Sequence, residues 1–276
     1  MMLNFVKMSG AGNDFILVDN LDGTLDPPVS GELVRALCRR GLSVGADGVL
    51  EMAGDSEFPF RMRYYNSDGG EAEMCGNGGR CIAAFAARKG IVEFGKDFSF
   101  RSGAGVHRAR VTGPDSARIW MTEPHIHFLD RKVRVGSLDL RLSFVNTGVP
   151  HAVVFTGGPE IPPFDETAGI LRSHPMFGKA GANVNYLWSQ DGSMAIRTWE
   201  RGVEGETLAC GTGAVACAIC AVLVLGSAHP VDMEVRSGLT LTAGTDENGW
   251  WLQGEARTVY SGVLESIPER NLTEGP

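Results

Sequence analysis

No block of basic residues occurs anywhere in this 276-residue chain, whose formal net charge is −8. The electrostatic footprint of a nucleic-acid binder is therefore missing, and small molecules become the favoured partners. The amino-terminal stretch "MMLNFVKMSGAGNDF" lacks the continuous apolar run of a secretory signal. The longest apolar run, "AVACAICAVLVL" from Ala214 to Leu225, falls well short of the roughly 20 residues that span a bilayer, so it reads as a buried core helix and no membrane partner is expected. Low-complexity tracts are absent. The phosphate-binding patterns G-x-x-x-x-G-K-[ST] and G-x-G-x-x-G are not supplied by the glycine-rich turns. His125 and His127 read as an exposed strand or loop feature, and no metal is expected.

The chain is long enough for about two ordinary domains with a core that needs no staples. Its six cysteines (Cys38, Cys75, Cys81, Cys210, Cys217 and Cys220), without an export signal, point to free thiols in a reducing cytoplasm rather than a disulfide framework. Short β-rich runs recur: "DFILVD" from Asp14, "FRMRYYN" from Phe60, "ARIWMT" from Ala117, "HAVVFT" from His151, "NVNYLW" from Asn183, "MAIRTWE" from Met194 and "LTLTAG" from Leu239. Three helical patterns, "SGELVRALCRR" from Ser30, "GRCIAAFAARK" from Gly79 and the apolar run above, each stop at a glycine suited to a left-handed cap: Gly41, Gly90 and Gly226. A seam is expected near "MTEPHIH", Met121 to His127.

One unit is used twice. Aligning Cys75 with Cys210 sets "EAEMCGNGGRCIAAFA" from Glu71 over "ETLACGTGAVACAICA" from Glu206, about half the chain apart, with Glu, Cys, Gly, Gly, Ala and Ala coinciding. Each copy places a cysteine immediately before a helix among glycines that let backbone approach a ligand. Free N–H groups of a first helical turn and the positive end of the helix dipole favour a carboxylate, and the same field stabilises a thiolate. A lone free cysteine is usually a small buried hydrophobe, which is the reading for Cys38, Cys81, Cys217 and Cys220; the duplicated glycine context sets Cys75 and Cys210 apart. Two such sites facing each other suit inversion at a carbon beside a carboxylate. One thiolate removes the α-proton, a thiol delivers a proton to the other face, and no metal or pyridoxal cofactor is required.

The stretches "MSGAGNDFILVD" from Met8, "YYNSDGGEAEMCGNGGRC" from Tyr64, "VPHAVVF" from Val149, "GANVNYL" from Gly181 and "ERGVEGETLACGTGA" from Glu200 resemble the diaminopimelate epimerase family, in order and across nearly the whole chain. The resemblance implies a mixed α/β (α+β) fold of two pseudo-symmetric domains, each a mostly antiparallel curved sheet or barrel around a central helix. Residues 1–121 with 262–276 would carry Cys75, and residues 122–261 would carry Cys210. It further implies cofactor-independent interconversion of LL- and meso-diaminopimelate, on the route to lysine and cell-wall peptide, by a cytoplasmic homodimer. Cys75 and Cys210 are then the acid/bases, and Gly76, Asn77, Gly211 and Thr212 hold the reacting carboxylate. Asn66, Asn183, Glu200 and Arg201 read the distal amino acid end, Asn13 lines the pocket, and His151 and Glu200 assist the thiols.

Two features depart from the family's pattern. Val149 stands where many members have asparagine before Pro-His, and "ERGVEGET" is one residue longer than the common form. The sister activity to weigh against is a proline or hydroxyproline racemase. Such relatives usually carry histidine where this chain has Asn77.

Overall fold

The structure, a computed structural model, describes residues 2–25, 28–160, 162–190 and 192–266. The chain divides into two compact units: Met1–Ile119 together with Glu255 onward, and Trp120–Gly254. The break falls beside the expected Met121–His127 seam. The return to the first unit begins at Glu255 rather than at 262, so that the whole strand Arg257–Leu264 lies in that unit.

In unit 1 the strand Arg257–Leu264 runs antiparallel to Leu3–Gly10, which runs antiparallel to Asn13–Asn20. Asn13–Asn20 lies parallel to Gly48–Ala53, and Gly48–Ala53 antiparallel to Arg61–Asn66. The short strand Glu71–Ala72 pairs antiparallel with Arg61–Asn66, which also meets Asp97–Ser102 in parallel. Asp97–Ser102, Gly105–Gly113 and Ser116–Trp120 complete an antiparallel meander. Unit 2 repeats this series strand for strand. His125–Val135, Leu138–Asn146 and Pro150–Phe155 pair antiparallel in turn, and Asn183–Gln190 joins in parallel. Ser193–Glu200 then pairs antiparallel, with the short Gly205–Thr207 beside it; Val231–Glu234 joins in parallel, and Thr240–Asp246 and Gly249–Glu255 follow antiparallel. The cysteine motif thus marks the duplication of an entire topology.

Helices sit at matching places in the two series: α1 (Gly31–Cys38) and α2 (Gly76–Arg88) in unit 1, α3 (Phe164–Arg172) and α4 (Gly211–Leu225) in unit 2. Every residue of α2 from Asn77 to Ala87 is buried, and from Gly211 to Ala221 in α4 only Thr212 is not. A helix with no solvated face belongs in the middle of a fold. Accordingly α2 packs against Leu3–Gly10, Asn13–Asn20, Gly48–Ala53, Arg61–Asn66 and Gly105–Gly113, and α4 is surrounded in the same way in its own unit. The apolar α4 has 15 residues, and among the described residues no helix is long and apolar enough to cross a membrane.

Two helix ends follow the sequence pattern. Gly90 (φ 74°) and Gly226 (φ 70°) take the left-handed conformation that only glycine adopts without cost, and Gly226 returns its N–H to the Ala221 carbonyl. The third does not. Ser30 caps the start of α1 by accepting the Leu33 N–H at 3.3 Å, but the helix ends at Cys38 with Arg39 already extended, before Gly41 is reached. Helix α3 gave no clear sequence signal. Its start carries no side-chain cap and Gly169 interrupts it, although Phe164, Thr167, Ala168 and Leu171 form a buried stripe at helical spacing.

Candidate active site

Each motif cysteine occupies the residue that opens a central helix. Cys75 is the N-cap of α2 and Cys210 the N-cap of α4, both with extended backbone, which suits a position outside the helical φ/ψ region. The carbonyls of Cys75 and Cys210 accept the first helical bonds, from Gly79 at 2.7 Å and Ala214 at 2.9 Å. All six cysteines are free thiols, and Cys75 alone among them is not fully buried.

In unit 1 the Cys75 thiol donates to Asn13 Oδ1 at 3.7 Å, and Asn13 Nδ2 donates to Asp47 Oδ2 at 2.5 Å. Arg40 bonds both Asp47 and Asp14, holding the Asp14 carboxyl down at about 2 against the upward pull of burial. Gly76 adjoins open space: a Cβ there would meet no atom within 4 Å among the described residues. The side chain of Asn77 is buried and its amide oxygen accepts from Arg80 at 3.0 Å. Asn66 ends its strand on the surface, its oxygen accepting the Tyr64 hydroxyl at 2.7 Å.

Unit 2 gathers most of its predicted residues into one network. Thr198 Oγ1 donates to Asn185 Oδ1 at 2.9 Å, and Asn185 Nδ2 lies 3.0 Å from His151 Nδ1. His151 Nε2 is 3.0 Å from Thr212 Oγ1, which is 3.5 Å from the Cys210 sulfur. With the amide donating to Nδ1, the imidazole carries its proton on Nε2, and every hydroxyl and N–H in the series points the same way, toward Cys210. Thr147 holds the Thr212 carbonyl at 2.9 Å, and Asn183 Oδ1 accepts the Arg201 backbone N–H at 2.7 Å. Glu200 accepts from Thr207 at 2.6 Å, and its carboxylate bears electrostatically on the Cys210 thiol.

Burial decides the electrostatics of this half. It pushes the Cys210 thiol well up, with Glu200 adding to the effect and Thr212 and the Gly213 N–H opposing it. The sequence had implied a lowered thiol at both helix N-termini; at Cys210 exclusion of water outweighs the helix field, and the group is a thiol near neutral pH. The structural thiols are raised in the same way, Cys81 and Cys220 to about 12. Burial lowers His151 to about 3, helped by the positive charge of Arg201. Imidazole in an unfolded chain titrates near 6.5. Between those values the unfolded chain takes up a proton that the folded chain refuses, so the stability from His151 is complete above about 6.5 and declines with acid by up to about 1.4 kcal/mol per pH unit. The urea midpoint should therefore fall less between pH 6.5 and 4.5 in His151→Gln than in the unaltered protein. Equal slopes would assign the acid sensitivity to other groups.

Sequence reasoning missed Asn185, Thr198 and Thr147, all buried. The signal for Asn185 was present: in "NVNYL" it shares a strand face with Asn183, and a buried amide demands partners. The extra residue of "ERGVEGET" is taken up in a turn where Glu204 adopts φ 54° and its carboxylate clamps Arg172 of α3, with Oε1–Nη2 at 2.6 Å. The C-x-x-C spacing of Cys217 and Cys220 lies buried within α4, and no group of three metal-binding side chains occurs among the described residues.

The fold of this chain is also that of a class of solved proteins. One is the phenazine biosynthesis protein of the PhzF family from Bacillus anthracis, with a TM-score of 0.69 at 15% identity, covering 96% of this chain and 99% of that one. Another is a hydroxyproline epimerase from Agrobacterium vitis, with a TM-score of 0.64 at 16% identity, covering 95% and 92%. The family model for diaminopimelate epimerase matches residues 5–127 and 143–259, and the chain belongs to that family. It is 40% identical to the diaminopimelate epimerase of Hydrogenobaculum sp. over 94% of this chain and 97% of the relative, and 40% identical to that of Chlorobaculum tepidum over 93% and 99%.

Proposed function

We propose that this chain interconverts LL- and meso-diaminopimelate by a two-base mechanism, with Cys75 and Cys210 on opposite faces of the reacting carbon. The observation that carries the reading is that the two cysteines are the N-caps of the two central helices, in equivalent places of a duplicated topology. A thiolate at one cysteine removes the α-proton and becomes a thiol. The N–H groups opening α2 and α4, from Gly76, Asn77, Gly211 and Thr212, receive the carboxylate and the enediolate-like charge that develops on it. The other thiol then gives its proton to the opposite face and becomes a thiolate. Protons balance over the cycle, and the reverse reaction exchanges the two roles. Glu200, whose negative charge raises the Cys210 thiol, is assigned to take its proton when Cys210 has to act as the base. His151 keeps the Thr212 hydroxyl directed at the sulfur.

Asn66, Asn183, Glu200 and Arg201 are assigned to the distal amino acid end, which simpler amino acids lack, and Asn13 to the lining of the pocket, where it meets the Cys75 thiol. Arginine suits this task because its planar fork meets a carboxylate with two parallel bonds. Six free thiols fit a reducing cytoplasm, and the family suggests a homodimer as the working form.

The test is incubation with LL-diaminopimelate in D2O without added cofactor, following deuterium at the α-carbon and the stereochemistry of the product. Inversion with deuterium uptake is expected. Free lysine, proline and alanine should turn over less efficiently by on the order of 10⁴-fold, because polar groups built for the distal end are left unpaired. Comparable rates on proline would favour a racemase of the sister type instead.

A further inference from the structure

Arg80 lies one turn into α2 and is fully buried. Its Nη2 donates to Asn77 Oδ1 at 3.0 Å and its Nε to the Glu255 backbone carbonyl at 3.3 Å, both neutral acceptors. Its Nη1 is buried with no hydrogen-bond partner among the described residues. The Glu255 carboxylate, the nearest acid, is engaged elsewhere: it accepts from Ser9 and the Ala11 N–H and pairs with Arg257. A guanidinium stays charged even where burial lowers its proton affinity, as it does here. Such a charge, out of water and without a counter-ion, is costly unless something negative sits close by.

Three acidic groups act on Arg80: Cys81, Cys75 and Glu255. Cys81 is fully buried, with its thiol pushed up to about 12, and so is neutral. Glu255 has its own cation. Cys75 remains, half-buried at the mouth of the same helix. We propose that Arg80 is a positioning residue for the Cys75 half of the site. It fixes Asn77 in the first turn of α2, and its unpaired buried charge stabilises the Cys75 thiolate and the substrate carboxylate received beside it. The assignment rests on Cys75 being an acid/base of the reaction proposed above.

The other groups around Cys75 leave its titration legible. Asn13 connects it to Asp47, which accepts the Asp14 N–H in turn; Asp14, bonded by Lys7 and Arg40, is ionised throughout the neutral range. The hydroxyl of Tyr64, on Arg61–Asn66, is pushed well above the range of a thiol by burial, with the charge of Cys75 adding to the shift.

The test follows carbamidomethylation of Cys75 by iodoacetamide against pH, by peptide mass in the full-length protein, for the unaltered chain, Arg80→Met and Arg80→Lys. Only the thiolate reacts, so the midpoint reports its stability. Arg80→Met should raise the midpoint by about one pH unit or more, the usual influence of a nearby opposite charge. Arg80→Lys should stay within about 0.3 unit of the unaltered chain, because it keeps the charge while losing the fork of bonds. An unchanged midpoint in Arg80→Met, or one raised equally in Arg80→Lys, overturns the proposal, whatever happens to turnover. If Arg80→Met does not fold, Arg80→Gln removes the charge while keeping a donor for Asn77 and carries the same expectation. Alkylation needs no substrate, so a protein inactive on diaminopimelate would still give a reading for Arg80.

Discussion

Cys75→Ala and Cys210→Ala should each lower inversion of LL-diaminopimelate by about 10²–10⁴-fold, the usual contribution of a positioned acid or base. Cys81→Ala and Cys217→Ala, which truncate wholly buried side chains on α2 and α4, should keep substantial activity and lose some stability. The two active-site variants should fail in an informative way. With one base left, a single face of the α-carbon can still be deprotonated and reprotonated, so slow exchange of the α-proton with D2O can survive without inversion. The measurement is the ratio of deuterium uptake to product epimer for each variant. Inversion at the unaltered rate by either single variant would rule out two bases.

Gly213→Ala should also be damaging, although it removes neither acid nor base. A Cβ at 213 would lie 2.5 Å from Asn185 Oδ1, 3.3 Å from His151 Cε1 and 3.4 Å from Cys210 Cβ. The first of these distances forces Asn185 away from Thr198 and His151, and with it the series of donors that ends at the Cys210 sulfur. Turnover should fall by at least about tenfold, and the urea midpoint should report a loss of about 1–3 kcal/mol, as for overpacking in a close-packed interior. Gly169→Ala is the control. Gly169 is exposed inside α3 with room for a methyl group, so alanine there should leave turnover unchanged and gain up to about 1 kcal/mol from helix propensity. If both variants behave alike, the steric case at Gly213 is wrong.

The seven β-rich runs all lie on strands, some alternating in burial and others, such as Asn183–Gln190, buried on both faces for most of their length, because β-branched and aromatic residues suit a pleated backbone in either setting. The strands that escaped notice include His125–Val135, which is largely exposed, and Gly105–Gly113, where Arg108 and Arg110 alternate with small residues. At the candidate site the cysteines were legible because a duplicated glycine pattern has few structural explanations. Asn185 and Thr198 were not, since a single polar residue within a strand gives no sign of whether it faces solvent or a buried histidine. The rise in the Cys210 thiol was equally hidden. The helix N-terminus can be read from sequence, but the degree of water exclusion around it follows from packing by strands distant in the chain.

The strand Arg257–Leu264 completes unit 1 by pairing with Leu3–Gly10, whereas unit 2 is one continuous stretch of chain. On the ribosome the second unit therefore holds all of its strands before the first one does. Until Arg257–Leu264 has emerged, Leu3–Gly10 keeps one unpaired edge, in a sheet whose own helix already carries Cys75. Such an edge is open to pairing with a foreign strand. The half of the molecule that is synthesised first is thus the last to be finished, once Arg257–Leu264 is available to pair with Leu3–Gly10.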